Sequence, residues 1–167
     1  MGGMKLIFAA MFGSILLGFA GHALSQSEQW QILETAEAGR PVIVSVPKLL
    51  PNSATREDFP WLTTIEWPYP NRDRGMPADS LLDEMYKLES EVERVAVSKN
   101  LCRLAITRTG NGLREWTYYA KDRKVGEQDI ANLVKAGFPD TVRVNVRREP
   151  EWTTLRDVLA NVQDAPK

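Results

Sequence analysis

The 167-residue sequence predicts an α+β fold, and three patterns carry this prediction. Short segments of alternating polarity, rich in β-branched and aromatic residues, indicate strands. Two longer segments repeat their apolar residues every three or four positions, as helices that pack against a sheet do. The pair Asn111-Gly112 lies between two strand segments and favours a tight hairpin turn, so at least these two strands should be antiparallel.

The alternating pattern predicts five strands, at residues 41–46, 61–67, 101–109, 113–120 and 142–146. Residues 26–40 are compatible with either a short helix or a further strand around Trp30. Residues 50–60 contain the turn sequence Pro51-Asn52-Ser53 and are expected to form a loop. In the strand 101–109, simple alternation places Cys102, Leu104 and Ile106 together on the apolar face.

Helical periodicity predicts a first helix from Leu81 to Ala96, with Asp79 or Ser80 as its N-cap. A second helix is expected over residues 127–136, with Gly137 just past its end. Residues 151–161 are expected to form a final short helix.

From residue 61 onward the predicted order is strand, helix, strand, strand, helix, strand. Right-handed crossovers would place both helices on one side of a four-stranded antiparallel sheet. The predicted fold is therefore a ferredoxin-like two-layer sandwich, with two helices on one face and the N-terminal strand 41–46 added at an edge. The predicted organisation is an N-terminal segment over residues 26–40, a single domain over 41–161 and a C-terminal tail over 162–167.

The first 25 residues follow the three-part pattern of a secretory signal peptide. Lys5 supplies the positive start, residues 6–20 form an apolar run, and Ala23-Leu24-Ser25 offers small residues for cleavage before Gln26. The run is shorter than the roughly 20 residues that span a bilayer. We therefore expect cleavage and export to the periplasm or the extracellular space, with no stable membrane insertion afterwards. The alternative is a retained membrane anchor.

The composition of the expected mature chain excludes several kinds of chemistry. Its net charge is −2, which does not favour nucleic acid as a partner. The only histidine, His22, lies in the signal segment, so a Ser-His-Asp triad and an imidazole-ligated zinc site are not expected. The only cysteine, Cys102, cannot form an internal disulfide and is expected to be an inert core thiol. No metal and no cofactor are expected.

Several phrases of the sequence, taken in order, resemble an uncharacterised bacterial family, domain of unknown function six hundred ninety-five. The phrases are Glu57-Asp58-Phe59-Pro60-Trp61-Leu62, Gly75-Met76-Pro77, Leu88-Glu89, Thr109-Gly110-Asn111-Gly112-Leu113-Arg114-Glu115-Trp116 with Tyr118-Tyr119, and Glu149-Pro150-Glu151-Trp152. The last phrase has Glu149 where the family usually has Asp. The resemblance implies a ferredoxin-like fold, and it implies neither an established activity nor catalytic residues.

The strand 113–120 separates two sets of side chains, because Trp116 and Tyr118 face one way and Thr117 and Tyr119 the other. If the second face is open, it would bear an arginine and aromatic surface suited to anionic or protein partners. The candidate binding residues of that face are Arg103, Thr117, Tyr119, Arg143 and Arg147. The alternative is that the aromatic residues build the core and the arginines are ordinary solvated strand residues.

Carboxylates are the only catalytic resource left to such a chain. Glu66, Glu115, Asp122 and Glu149 lie near strand ends and could supply a glycosidase-like pair, although no spacing marks two of them. We therefore expect a non-catalytic binding or protein-interaction module, with a protein partner in the cell envelope. The alternative is a small envelope hydrolase that uses a carboxylate pair.

Overall fold

A six-stranded antiparallel sheet organises residues 29–163, the part of the chain that this computed structural model describes. The order of the strands across the sheet is β1-β2-β4-β5-β3-β6. The strands are β1 Trp30–Glu37, β2 Arg40–Pro47, β3 Trp61–Pro68, β4 Cys102–Gly110, β5 Leu113–Ala120 and β6 Arg143–Arg148. The predicted α+β class is confirmed. The predicted signal peptide, residues 1–25, lies outside the described residues, as does most of the predicted tail.

Four α-helices accompany the sheet in the described part of the chain: α1 Ser53–Asp58, α2 Asp79–Val92, α3 Ala131–Gly137 and α4 Thr153–Gln163. A π-helical turn, Glu93–Val97, continues α2, and another, Val125–Ile130, leads into α3. The prediction of a loop at residues 50–60 was wrong for α1. Its N-cap is Asn52, whose Oδ1 accepts a hydrogen bond from the Thr55 N–H at 2.8 Å.

The N-terminal residues extend the sheet further than the sequence predicts. Residues 30–37 adopt the strand, not the helix, of the two alternatives, and every residue of β1 pairs with a residue of β2. β2 also pairs with β4. The strand around residues 42–46 therefore lies inside the sheet, and β1 takes the edge.

The two faces of the sheet carry separate apolar clusters. On the first face, α2 and α3 pack against a cluster that includes Ile65, Trp116 and Tyr118. On the second face, α4 contributes Leu155 and Leu159 to a cluster with Val46, Leu62, Ala105, Ile106 and Tyr119. The two helices expected on one face are present there, and α4 adds a helix on the opposite face.

A β-bulge in β4 changes which side chains share a face. The pairing of β4 with β5 shifts by one residue between Leu104 and Ile106. Cys102 and Leu104 therefore belong to the first-face cluster, whereas Ile106 belongs to the second-face cluster. The prediction that Ile106 shares a face with Cys102 was wrong, because an extra residue at a bulge reverses the alternation beyond it. Arg108 moves to the second face for the same reason.

Gly126 lets the turn before α3 approach the sheet closely. A Cβ at this position would lie 2.5 Å from Oγ1 of Thr63 and 2.6 Å from Cγ2 of Val146. Thr63 is fully buried, so it has little room to move. The missing side chain thus sets the distance between this helical turn and strands β3 and β6.

We predict that Gly126→Ala destabilises the fold by about 1–3 kcal/mol, because the added methyl group overpacks the contact with Thr63 and Val146. Gly137→Ala is the matched control, since a Cβ there would meet no atom within 4 Å. Chemical unfolding of both variants measures the difference. Equal stability of the two variants would contradict the proposed close approach.

Candidate functional site

The second face of the sheet holds all five predicted binding residues, and α4 divides this face into a covered and an uncovered part. Leu155 and Leu159 of α4 pack over strands β2, β4 and β5. On the other side of the face, Arg143 and Asn145 of β6 are exposed, and Glu66 and Glu115 are only partly buried. We call this second part the open corner; it is formed by Glu66, Glu115, Arg143 and Asn145.

The covered part is built around Tyr119, Glu149 and Trp152, which we call the Tyr119–Glu149–Trp152 cluster. The rings of Tyr119 and Trp152 are stacked, with centroids 3.7 Å apart and an interplanar angle of 5°. Nε1 of Trp152 donates a hydrogen bond to the carbonyl of Phe59 at 2.9 Å. The polar edges of both rings are thus satisfied inside the protein, which is where buried Tyr and Trp are stable.

Glu149 collects hydrogen bonds from three sides. The Tyr119 hydroxyl donates at 2.7 Å, the Thr154 N–H at 2.7 Å, and Nη2 of Arg147 at 2.7 Å. Burial alone would raise the pKa of this carboxyl, but the donors from Thr154, Tyr119 and Arg147 outweigh burial and hold the pKa below its usual value. The charged carboxylate therefore fastens the start of α4 to the sheet.

The five predicted binding residues differ in burial and in the contacts they make. Tyr119 and Thr117 are fully buried. Arg147 is engaged by Glu149 and by the Thr154 hydroxyl. Arg103 is partly buried, with its guanidinium 5.1 Å from the centre of the Phe59 ring. Arg143 is exposed in the open corner. The proposal that these residues bind a partner stays a prediction.

Four charged residues form a row across the second face, which we call the charged row: Arg108, Glu115, Glu66 and Arg143. Glu115 in β5 lies opposite Arg108 in β4 and opposite Glu66 in β3. Glu66 lies opposite Arg143 in β6. Directly opposed residues on neighbouring strands present their side chains to the same face about 5 Å apart. The row therefore places two carboxylates side by side between two arginines.

The two carboxylates of the charged row form few hydrogen bonds with the rest of the described protein. Within residues 29–163, Glu66 accepts one long hydrogen bond, from Nδ2 of Asn145 at 3.4 Å, and no side chain donates a well-formed hydrogen bond to Glu115. Burial raises the pKa of Glu115, and the charge of Glu66 raises it further, while Arg108 and Arg147 lower it. Glu115 thus holds its proton more tightly than an ordinary glutamate.

The two arginines of the row differ in how they are held. Arg108 donates to both carboxylate oxygens of Glu37 in β1 through Nε and Nη2, and its Nη1 is buried without a hydrogen-bond partner. Arg143 forms no ion pair with any described residue. Within the described residues Arg143 is thus held by no carboxylate, whereas Arg108 is fixed to β1.

Another charged cluster, on the first face, joins α2 to the β4–β5 hairpin. Glu89 accepts hydrogen bonds from Nη2 of Arg114 at 3.0 Å and from Nε1 of Trp116 at 2.9 Å. Arg114 also donates to Oγ1 of Thr109 at 3.1 Å and lies 5.2 Å from the centre of the Tyr86 ring. Apart from Nε of Arg114, which is buried without a hydrogen-bond partner among the described residues, these groups are bonded inside the protein, so the cluster explains how α2 is positioned.

The remaining reactive groups of the described chain include a buried thiol and no cluster of metal ligands. Burial, followed by the charge of Glu93, raises the pKa of the Cys102 thiol to about 12, as expected for an inert core cysteine. Within residues 29–163, no three His, Cys, Asp or Glu side chains come together as metal ligands. In the same range, no helix has the length and apolar character needed to span a membrane.

Glu66, Glu115 and Arg143 were each singled out from the sequence, but Arg108 and the row that joins the four residues were not. Alternation along β3, β5 and β6 assigns each side chain to a face, but the register between strands that are distant in the sequence has no local signal. Arg108 was missed because the bulge in β4 places it on the face opposite to the one that simple alternation predicts.

We predict that Glu149→Gln lowers the free energy of unfolding by about 2 kcal/mol at pH 7, because its donors lose a charged acceptor. The native pKa of Glu149 is below its unfolded value. Its contribution is therefore complete above the unfolded pKa and is lost as the pH falls through the native pKa.

The measurement is urea unfolding between pH 7 and pH 2. The stability of Glu149→Gln should fall less steeply with acid than that of the wild type. Glu151→Gln, which removes the same charge from an exposed neighbour, should keep the wild-type slope. Parallel slopes for all three proteins would show that Glu149 does not hold α4 in place.

Comparison with known proteins places the chain in a family without assigning an activity. Residues 28–160 match the model described as "Family of unknown function (DUF695)", which covers most of the chain. No curated protein and no solved structure matches the chain significantly. The family match extends from just before β1 into α4, so it includes the whole sheet and the Tyr119–Glu149–Trp152 cluster. The chain belongs to the DUF695 family.

Proposed function

We propose that this protein is an exported, non-catalytic binding module that holds a protein partner at the open corner of the second face. The observation that carries the proposal is the charged row, in which Glu66, Glu115 and Arg143 are partly or fully accessible and have few bonds within the protein. Charged groups at a protein surface steer partners and select among them. The signal pattern in residues 1–25 supports a location in the periplasm or outside the cell.

The dimensions of the charged row favour a protein partner. Neighbouring strands lie about 4.8 Å apart, so four residues on four strands extend over about 14 Å. A surface of this width suits several contacts with a partner better than it suits one reacting bond. The two adjacent carboxylates of the row do not favour nucleic acid as the partner, since phosphate backbones bind to clustered cations.

We further infer that residues 61–148 form a ferredoxin-like core. Their elements follow the order β3, α2, β4, β5, α3, β6, and their strands are arranged β4-β5-β3-β6 with every neighbour antiparallel. This is the split βαβ arrangement expected of that fold. β1 and β2 extend the sheet on one side, and α4 covers part of the face that the two crossover helices leave free.

We predict that Arg143→Ala abolishes capture of the partner from a cell-envelope fraction, with the purified protein as bait. The reason is that Arg143 supplies the one cation of the charged row without an ion pair in the described chain. Arg148→Ala is the matched control, because Arg148 is another exposed arginine of β6 but belongs to the opposite face. The captured proteins are compared by quantitative mass spectrometry.

A partner that is retained by Arg148→Ala and lost with Arg143→Ala would support the proposal. The proposal fails if wild-type protein captures no partner, or if both variants capture the same partner as well as the wild type does.

A hydrolase is the second candidate, and the environment of Glu115 is the observation that favours it. Burial and the charge of Glu66 raise the pKa of Glu115, as a general acid requires. The Cβ atoms of directly opposed strand residues are about 5 Å apart, which allows the carboxyl separation of roughly 5 Å found in retaining glycosidases. Glu115 would then protonate the leaving group and Glu66 would act as nucleophile.

If the protein is a hydrolase, Glu115→Gln should lower the rate of hydrolysis of aryl glycosides at least about 100-fold. The same substitution should raise stability by about 0.5 kcal/mol at pH 7, because it removes one of two opposed like charges. A loss of activity could then not be ascribed to unfolding. Glu151→Gln serves as the control, and the absence of turnover by wild-type protein would exclude this candidate for these substrates.

A further inference from the structure

The three charged residues of the row with few partners in the described protein have a fixed order across the sheet. Glu115 and Glu66 stand side by side on β5 and β3, and Arg143 follows on β6. A cation that contacts both carboxylates would lie between β5 and β3. An anion that contacts Arg143 would lie beyond Glu66, toward the edge of the sheet. The row therefore complements a ligand with one positive and one negative group in that order.

The strand spacing sets the distance between the two ligand groups. The position between β5 and β3 is one and a half strand spacings from β6, which is about 7 Å. In an extended peptide, side chains two residues apart point to the same side and are separated by about 6.7 Å. Side chains of adjacent residues point to opposite sides instead. The match favours residues two positions apart in an extended segment.

We propose that the charged row receives an extended segment of the partner protein in which a lysine faces Glu66 and Glu115 and an acidic residue two positions away faces Arg143. This inference rests on the proposed binding function and names the chemistry of the partner. Lysine suits the site because its ammonium group has three donors on a flexible stem and can bridge two carboxylates. Arg143 suits a carboxylate because guanidinium and carboxylate groups form paired hydrogen bonds.

Thr117 gives independent support for a cation at this place. It lies beside Glu115 on the second face, opposite Thr64, and is fully buried. Its Oγ1 is close enough to lower the pKa of Glu115 but forms no well-aligned hydrogen bond with any described residue. A bound ammonium group would favour the ionised form of Glu115, and the Thr117 hydroxyl could donate its proton to that carboxylate.

The test is a titration of the isotope-labelled protein with four short peptides, followed by two-dimensional NMR of the backbone amides. The first peptide, acetyl-Ala-Lys-Ala-Glu-Ala-amide, has the proposed pattern. The second and third replace its Lys or its Glu by Gln. The fourth, acetyl-Ala-Lys-Glu-Ala-Ala-amide, has the same composition with the charged residues adjacent.

We expect the first peptide to shift the amides of Glu66, Glu115 and Arg143 and to bind about tenfold more tightly than the other three, as one charge-assisted contact allows. Arg143→Ala should remove the advantage of the first peptide over its Glu-to-Gln analogue. Arg148→Ala should leave that advantage unchanged.

The inference is overturned if the four peptides bind equally, if none of them binds, or if Arg148→Ala has the same effect as Arg143→Ala. These results are distinguishable from failure of the proposed function. A partner whose capture depends on Arg143, together with equal peptide binding, would retain the binding module and reject the lysine-acid pattern. Selective peptide binding would support the pattern even before a partner is captured.

Discussion

The stacking of Trp152 on Tyr119 is the contact on which the arrangement of the second face depends. It joins α4, which lies near the end of the described chain, to a central strand of the sheet. Glu149 fixes this junction because it accepts hydrogen bonds from both Tyr119 and the first turn of α4. Because α4 starts at this point and packs toward β2, it covers one part of the face and leaves the corner near β6 accessible. A structural cluster of buried groups thereby determines which charged groups of this face are accessible.

Local patterns in the sequence were sufficient for most of the fold. Alternation along β5 correctly separates Trp116 from Tyr119, and helical periodicity locates α2. Two features had no local signal. The bulge in β4 places Ile106 and Arg108 on the face opposite to the predicted one. The alternation of polar and apolar residues gives no sign of the extra residue at a bulge. The burial of Tyr119 depends on Trp152, more than thirty residues later, so alternation predicts the face on which Tyr119 lies but not what covers it.

The charged row destabilises the fold when no ligand is bound. Two opposed carboxylates destabilise a sheet by a few tenths of a kcal/mol up to about 1 kcal/mol, and the partial burial of Glu115 adds to this. Arg108 reduces the repulsion, but Glu37 already shares that guanidinium. Elsewhere in the described chain the main carboxylate clusters are satisfied, as Glu89 and Glu149 show. The contrast supports a role in recognition for the row, because local violations of packing and charge rules are expected at functional sites.

Acid should act on the open corner before it releases α4 from the sheet. The described residues contain no histidine, so the carboxyl groups whose pKa is raised are protonated first as the pH falls. Glu115 is such a group, as is the exposed Glu93 after α2, whereas the pKa of Glu149 is lowered. As the pH falls, Glu115 therefore takes up its proton while Glu149 is still ionised and still holds α4 against the sheet. Within that interval the corner loses negative charge, and with it attraction for a cationic segment, while the Tyr119–Glu149–Trp152 cluster and the surface it creates remain in place.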